Sequence, residues 1–230
     1  GDNRLDGAGG VDTVSYRLAA GPVRVNLSIE TPQQTGSAGM DTLLNFERLE
    51  GGKHNDYLIG NAESNTLIGG GGADTLQGEA GSDRLIGGPG RDCFVLCHPD
   101  GTDRIVDFTA GVDRICIDQN LLPVGDGDDF IEQDEVVRGL SGFSPKAEWV
   151  RFATHLNGPM DTESAAALIR GADKPFAMGQ TALFVLDNEV NTAIFYFKSS
   201  NVDSRVSESE LKLIGVVSGT ALQLSDVGLI

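Results

Sequence analysis

The sequence predicts a mainly β protein: a parallel coil of short strands in the first half, then a β-rich C-terminal region with one or two short helices. Three observations carry this prediction. A nine-residue period runs through residues 51–95. The chain has 31 glycines among 230 residues, about twice the ordinary frequency, and they concentrate in that period. The formal charge is −17, and acids recur at one fixed place in each period.

The repeats read GGKHNDYLI, GNAESNTLI, GGGGADTLQ, GEAGSDRLI and GGPGRDCFV. The sixth position is Asp56, Asn65, Asp74, Asp83 and Asp92, and the eighth is Leu58, Leu67, Leu76, Leu85 and Phe94. Separate copies stand at residues 7–15 and 36–44. A Gly-rich start lets the backbone turn tightly, and an x-apolar-x end is a short strand that buries one side chain. Nine residues therefore make half a turn, and eighteen make a full turn with strands on two opposite faces. Every second carboxylate then stacks: Asp56, Asp74 and Asp92 in one column, Asn65 and Asp83 in the other. Two charges ~4–5 Å apart at an effective dielectric of about 20 repel by roughly 3–4 kcal/mol. A hard divalent cation with oxygen ligands relieves that repulsion, and calcium, with its flexible shell, fits better than magnesium or a transition metal.

The composition excludes other classes. The acidic charge argues against nucleic acid and against an anionic membrane surface. No apolar run approaches the ~20 residues of a membrane span, and no signal peptide is visible. The chain begins inside a repeat and without Met, so it reads as a piece of a longer protein. The motifs H-E-x-x-H, G-x-S-x-G and the P-loop are absent, so the chain is not expected to be an enzyme.

The repeats resemble the G-G-x-G-x-D-x-U-x nonapeptide of RTX, or hemolysin-type calcium-binding, proteins. The resemblance implies a parallel β-roll of nonapeptide repeats holding several calcium ions, about five. It implies bridging pairs Asp56/Asp74, Asn65/Asp83 and Asp74/Asp92. The shells would be completed by loop carbonyls such as those of Gly51, Lys53, Gly69, Gly71, Gly78, Ala80, Gly87 and Pro89. The second repeat departs from the pattern at Glu63 and Asn65, which implies a weaker site. Asp12 and Asp41 keep the sixth position of the separate copies and are candidate ligands, with a capped turn as the alternative. Residues 16–35 match the hairpin that interrupts such rolls. Residues 100–118 match the segment that closes them, with Asp103, Asp107 and Asp113 as candidate ligands for terminal ions or as a solvated acidic turn. The C-terminal stretch resembles the address read by the type I secretion machinery. Secretion from, or display on, a Gram-negative bacterium is the implied location.

This organises the chain as 1–50 (early turns with an inserted hairpin), 51–118 (calcium-binding roll) and 119–230 (C-terminal cap and secretion region). In the last part, 161–171 reads as a helix and 181–197 as two strands around a turn. Trp149, Val150 and Phe152 read as residues packed against the sheet. Residues 199–210 read as a loop into a helix capped by Ser207 and Glu210, in preference to an EF-hand loop. Gly125–Asp129 reads as a loop. Cys93, Cys97 and Cys116 read as unpaired packing residues, with a Cys93–Cys116 or Cys97–Cys116 bridge as the alternative. The expected function is calcium-triggered folding during export. The alternative is a calcium-stiffened module for adhesion or for binding a surface polysaccharide.

Overall fold

The computed structural model describes residues 1–125, 131, 134–137, 144–152, 155–156, 158–169, 172, 174–219 and 222–230. It is mostly β. The first strands are β1 (Asn3–Asp6), β2 (Thr13–Ser15), β3 (Arg24–Asn26), β4 (Gln33–Gln34), β5 (Met40–Leu44) and β6 (Arg48–Glu50). The five uninterrupted repeats supply β7 (Tyr57–Ile59), β8 (Thr66–Ile68), β9 (Thr75–Gln77), β10 (Arg84–Ile86) and β11 (Cys93–Leu96). Then come β12 (Asp103–Ile105), β13 (Arg114–Ile117), β14 (Asp134–Val137) and β15 (Trp149–Phe152). After helix α1 (Thr162–Ile169) follow β16 (Thr181–Asp187), β17 (Asn191–Lys198), β18 (Leu211–Ser218) and β19 (Val227–Leu229).

Successive repeat strands alternate between two parallel sheets. One runs β2-β6-β8-β10-β12 and the other β3-β7-β9-β11-β13. The register is eighteen residues per turn in the repeats, with Leu67 opposite Leu85 and Leu58 opposite Leu76. Eighth-position side chains from the two sheets meet inside: Leu49, Leu67, Leu85 and Ile105 from one, Leu58, Leu76, Phe94 and Ile115 from the other, all fully buried. Three-residue strands have little stability alone, so this apolar stack holds the coil together. Leu76→Ala in its middle is expected to cost about 2–5 kcal/mol. An unchanged urea midpoint would show that the stack is not the core.

Three details differ from the sequence reading. Val23, Val25 and Leu27 are buried as expected, but their strand β3 joins the roll in parallel with β7. The hairpin lies further on, where β4 pairs antiparallel with β5. Residues 100–118 do not close the roll. They add one more turn, and β18 and β19 extend the two sheets in parallel beyond it. The 3-10 turn Glu208–Glu210 replaces the expected helix, because an alternating strand sequence (Leu211-Lys-Leu-Ile) follows at once.

The C-terminal strands continue the first sheet in the order β12-β18-β17-β16-β15-β14. β16 and β17 form the antiparallel pair expected around residues 187–191. Trp149, Val150 and Phe152 belong to that sheet, in β15. One face (Trp149, Leu183, Val185, Ile194, Ile214) extends the roll core. The other (Val150, Phe152, Phe184, Phe195, Phe197) is covered by Ala165 and Ile169 of α1. Burial on both faces explains why ALFVL and AIFYF are continuous apolar runs instead of alternating ones.

Cys93 and Cys116 are joined, bridging the neighbouring strands β11 and β13, while Cys97 is free and buried. This replaces the unpaired reading by one of its alternatives. The parallel register brings residues of distant sequence onto one sheet face, and sequence spacing alone does not reveal that. Of the loop at Gly125–Asp129, residues 126–129 lie outside the described residues.

Candidate metal centre

The sixth-position side chains sit at the turn before each strand and form two ladders. In the first, Val23 N–H donates to Asp56 Oδ1 at 2.8 Å, Asp56 N–H to Asp74 Oδ1 at 2.7 Å, Asp74 N–H to Asp92 Oδ1 at 2.9 Å and Asp92 N–H to Asp113 Oδ1 at 3.0 Å. In the second, Asn65 N–H donates to Asp83 Oδ1 at 2.7 Å and Asp83 N–H to Asp103 Oδ1 at 3.1 Å. Each aspartate of the ladders accepts the equivalent amide of the preceding turn, whereas the Asn65 side chain stays within its own loop. The three sequence-derived pairs, Asp56/Asp74, Asn65/Asp83 and Asp74/Asp92, are thus adjacent rungs.

The second oxygens differ. Those of Asp74, Asp83 and Asp92 are buried and accept no hydrogen bond, although these residues are at most 2% exposed. A buried carboxylate oxygen without a donor is costly unless a cation meets it. Gly69 shows the surroundings: a Cβ there would lie 2.5 Å from Asp74 Oδ2 and 2.7 Å from the Gly87 carbonyl. Gly51 likewise faces Asp56 Oδ2 and the Gly69 carbonyl, Gly60 faces Asn65 Oδ1 and the Gly78 carbonyl, and Gly78 faces Asp83 Oδ2. First-position glycines therefore leave the room in which carboxylate and carbonyl oxygens converge. Gly71 lies between Lys53 and Pro89 of the adjoining loops. The carbonyls of Gly87 and Pro89 accept amides from Gly70 and Gly72 and retain a lone pair each. Ala80 stands in the loop that Asp83 closes.

Among the described residues, no three His, Cys, Asp or Glu side chains converge on one point. A cation here would be held by a carboxylate or two and completed by backbone carbonyls, an all-oxygen set suited to calcium. The residues present fit that ion. Asp74, Asp83 and Asp92 would supply the charge, and the first-position loops the neutral oxygens.

The other candidates separate into groups. Asp12 keeps an unpartnered, buried Oδ2. Asp41 is engaged on both oxygens: Asn3 donates to Oδ1, and Tyr16 OH and Thr35 Oγ1 donate to Oδ2. Asp107 accepts the amides of Gly87 and Gly88, and Asp113 those of Asp92 and Thr109. Asn65 Oδ1 accepts the Asn61 amide, while its Nδ2 is buried without a partner. An amide nitrogen repels a cation, so this rung is the weakest of the set. Glu210 is tied by Ser200 and Ser207, which matches the capping reading of that loop.

Two acids that tie turns of the roll together escaped the sequence reading. Glu47 accepts the Asp12 amide at 2.9 Å and so occupies the rung between Asp12 and Asn65. Its signal was an acid just before the Arg48-Leu49-Glu50 strand. Asp226 is buried and accepts the Gly111 amide, which ties the last strand to the roll. Locally it forms a capping box with Gln223, but its tie to the roll is to a residue over a hundred positions away.

Burial, and then repulsion from Asp92 and Asp56, pushes the Asp74 carboxyl up to about 7. Burial, with Asp113 and Asp107 nearby, pushes Asp92 up to about 6. Asp83 and Asp103 are also raised, by burial first. A folded-state pKa above the unfolded value means that the metal-free fold takes up protons. The contribution of these groups to stability is therefore fully present below about pH 4 and is lost progressively as pH rises from there through 6 to 7. Denaturation of the metal-free protein at pH 5 and 7.5 should show at least about 2 kcal/mol more stability at pH 5. Calcium affinity should run the opposite way and weaken below pH 7. Equal stability at both pH values would contradict this electrostatic account.

Comparison with known proteins agrees with the geometry. Residues 47–67 and 59–92 match the RTX calcium-binding nonapeptide repeat, in four copies. No curated protein matches the chain. The matched segment holds the unpartnered oxygens of Asp74, Asp83 and Asp92, and its similarity to RTX calcium-binding nonapeptide repeats supports a calcium-binding module over residues 47–92.

Proposed function

We propose that this chain is a calcium-triggered folding module of a larger protein exported by a type I secretion machinery. At the low calcium level inside a cell, the two carboxylate ladders repel, and the chain stays open enough to thread a channel. In millimolar calcium outside, the module closes on about five ions and the protein resides at or beyond the cell surface. The observation that carries this reading is the set of buried, unpartnered oxygens on Asp74, Asp83 and Asp92. Each Oδ1 is already used by the fold, so folding itself delivers Oδ2 to a place where a proton at low pH or a cation at neutral pH satisfies it.

The energetics fit a switch. One site with Kd ~10⁻⁴ M in about 1 mM calcium adds about 1.4 kcal/mol to the folded state. Several such sites add an amount comparable with the stability of a whole domain. Limited proteolysis tests the reading. Residues 51–118 should be cut rapidly at nanomolar calcium and resist at millimolar calcium. Equal resistance at both concentrations would refute it.

A further inference from the structure

Cys116 lies opposite Val95 in the β11–β13 pairing. Its side chain therefore shares a sheet face with Cys93 and Cys97, two residues to either side of Val95. The four side chains form a small cluster of their own, apart from the main core. Within it, Cys93–Cys116 is the bonded pair, 23 residues apart in sequence, and Cys97 is almost fully buried. Cys93 is only partly buried whereas Cys116 is buried, so attack is assigned to the Cys93 end of the bridge.

The bridge is next to the metal ladder. Cys93 directly follows Asp92, and Cys116 is three residues after Asp113. These two aspartates are the rung at which Asp92 N–H donates to Asp113 Oδ1, and Asp92 Oδ2 is unpartnered. The covalent link thus fixes the spacing of the last repeat against the turn that follows it. We propose that the Cys93–Cys116 bridge is a redox clamp on this rung: reducing it by a dithiol weakens calcium binding there, and bound calcium in turn protects the bridge.

The proposal rests on the calcium reading above. In the chemical step, a thiolate of the dithiol attacks Cys93 Sγ, the S–S bond breaks, and Cys116 leaves as a thiolate that takes up a proton. The second thiol of the reductant then displaces Cys93 from the mixed disulfide and releases it as a thiol. The protein gains two electrons and two protons, and the dithiol becomes a cyclic disulfide. Because the bridge and the ion are linked through one rung, each must change the other's equilibrium by the same factor.

The test is a calcium titration of the full chain, oxidised and in excess dithiothreitol, with the reduction midpoint measured with and without calcium. One class of sites should weaken about tenfold on reduction, and saturating calcium should raise the dithiothreitol needed for half reduction by the same factor. Cys97→Ala should leave both effects in place. A Cys93→Ala/Cys116→Ala double variant should titrate like the reduced chain; if it fails to fold, the two redox states of the native chain decide. Equal calcium affinity in both states, or a reduction midpoint indifferent to calcium, would overturn the clamp and leave the calcium module standing. A bridge mapped by peptide mass spectrometry to Cys97–Cys116 would also overturn it. Absence of calcium binding in either state would overturn both readings.

Discussion

Asp74→Asn is expected to stabilise the metal-free protein and to destabilise the calcium-loaded one. Asparagine keeps a carbonyl oxygen in place of Oδ1, so it still accepts the Asp56 amide that Asp74 accepts at 2.7 Å. It removes a buried charge whose carboxyl is pushed up to about 7 by burial and by the neighbouring aspartates. In chelator at pH 7.5 the variant should gain about 1 kcal/mol or more. In about 1 mM calcium it should lose about 3 kcal/mol, because Asp74 takes part in two rungs, with Asp56 and with Asp92. Denaturant midpoints in the two conditions measure both arms. A loss of equal size in both would mean that Asp74 acts only through its hydrogen bond. The chain carries a natural version of this change at Asn65, whose rung is expected to bind calcium most weakly.

Gly72→Ala is expected to cost about 3 kcal/mol or more in calcium. Gly72 has φ +119°, in a region that L side chains rarely adopt. A Cβ there would lie 2.6 Å from the carbonyl carbon and oxygen of His54 and 2.9 Å from Asn55 N. All three are backbone atoms of the preceding turn, so relief would require the two loops to part and would break the Gly71 N–H to Gly52 carbonyl bond between them. Gly111 provides the matched comparison. Its φ is +75°, but a Cβ there meets nothing within 4 Å. Gly111→Ala should therefore cost only the backbone term, about 1 kcal/mol. Similar losses at the two positions would mean that backbone conformation, and not the close stacking of the turns, dictates glycine in these loops.

The stacking of the candidate ligands was legible in the sequence because it is periodic. Nine-residue spacing places Asp56, Asp74 and Asp92 on one side and Asn65 and Asp83 on the other, and the register bears out those two columns. Eighth-position residues read as buried are the fully buried stack. The sequence pattern showed stacked carboxylates but not that each ladder aspartate uses Oδ1 to accept the preceding turn's amide. That division of labour depends on backbone direction at the turn, which no residue type encodes. Legibility faded wherever partners are far apart in sequence. Glu47 serves a rung without a glycine-rich loop of its own, and Asp226 reaches back to Gly111 from the C-terminal end. Closure by β18 and β19 was hidden for the same reason: the residues that end the roll lie about a hundred positions beyond the last repeat. The Cys93–Cys116 bridge depends on β11 and β13 being neighbours, a consequence of the coil and not of the cysteine spacing.

The central claim is that the ladders are completed by calcium. Its most direct test is a calcium titration of the metal-free chain, with bound metal counted by mass spectrometry under native conditions and far-ultraviolet circular dichroism recorded in parallel. Several ions per chain, about five, should be taken up together with a gain in strand signal that chelator reverses. A chain that holds no calcium at millimolar concentration, with the same spectrum in calcium and in chelator, would contradict it.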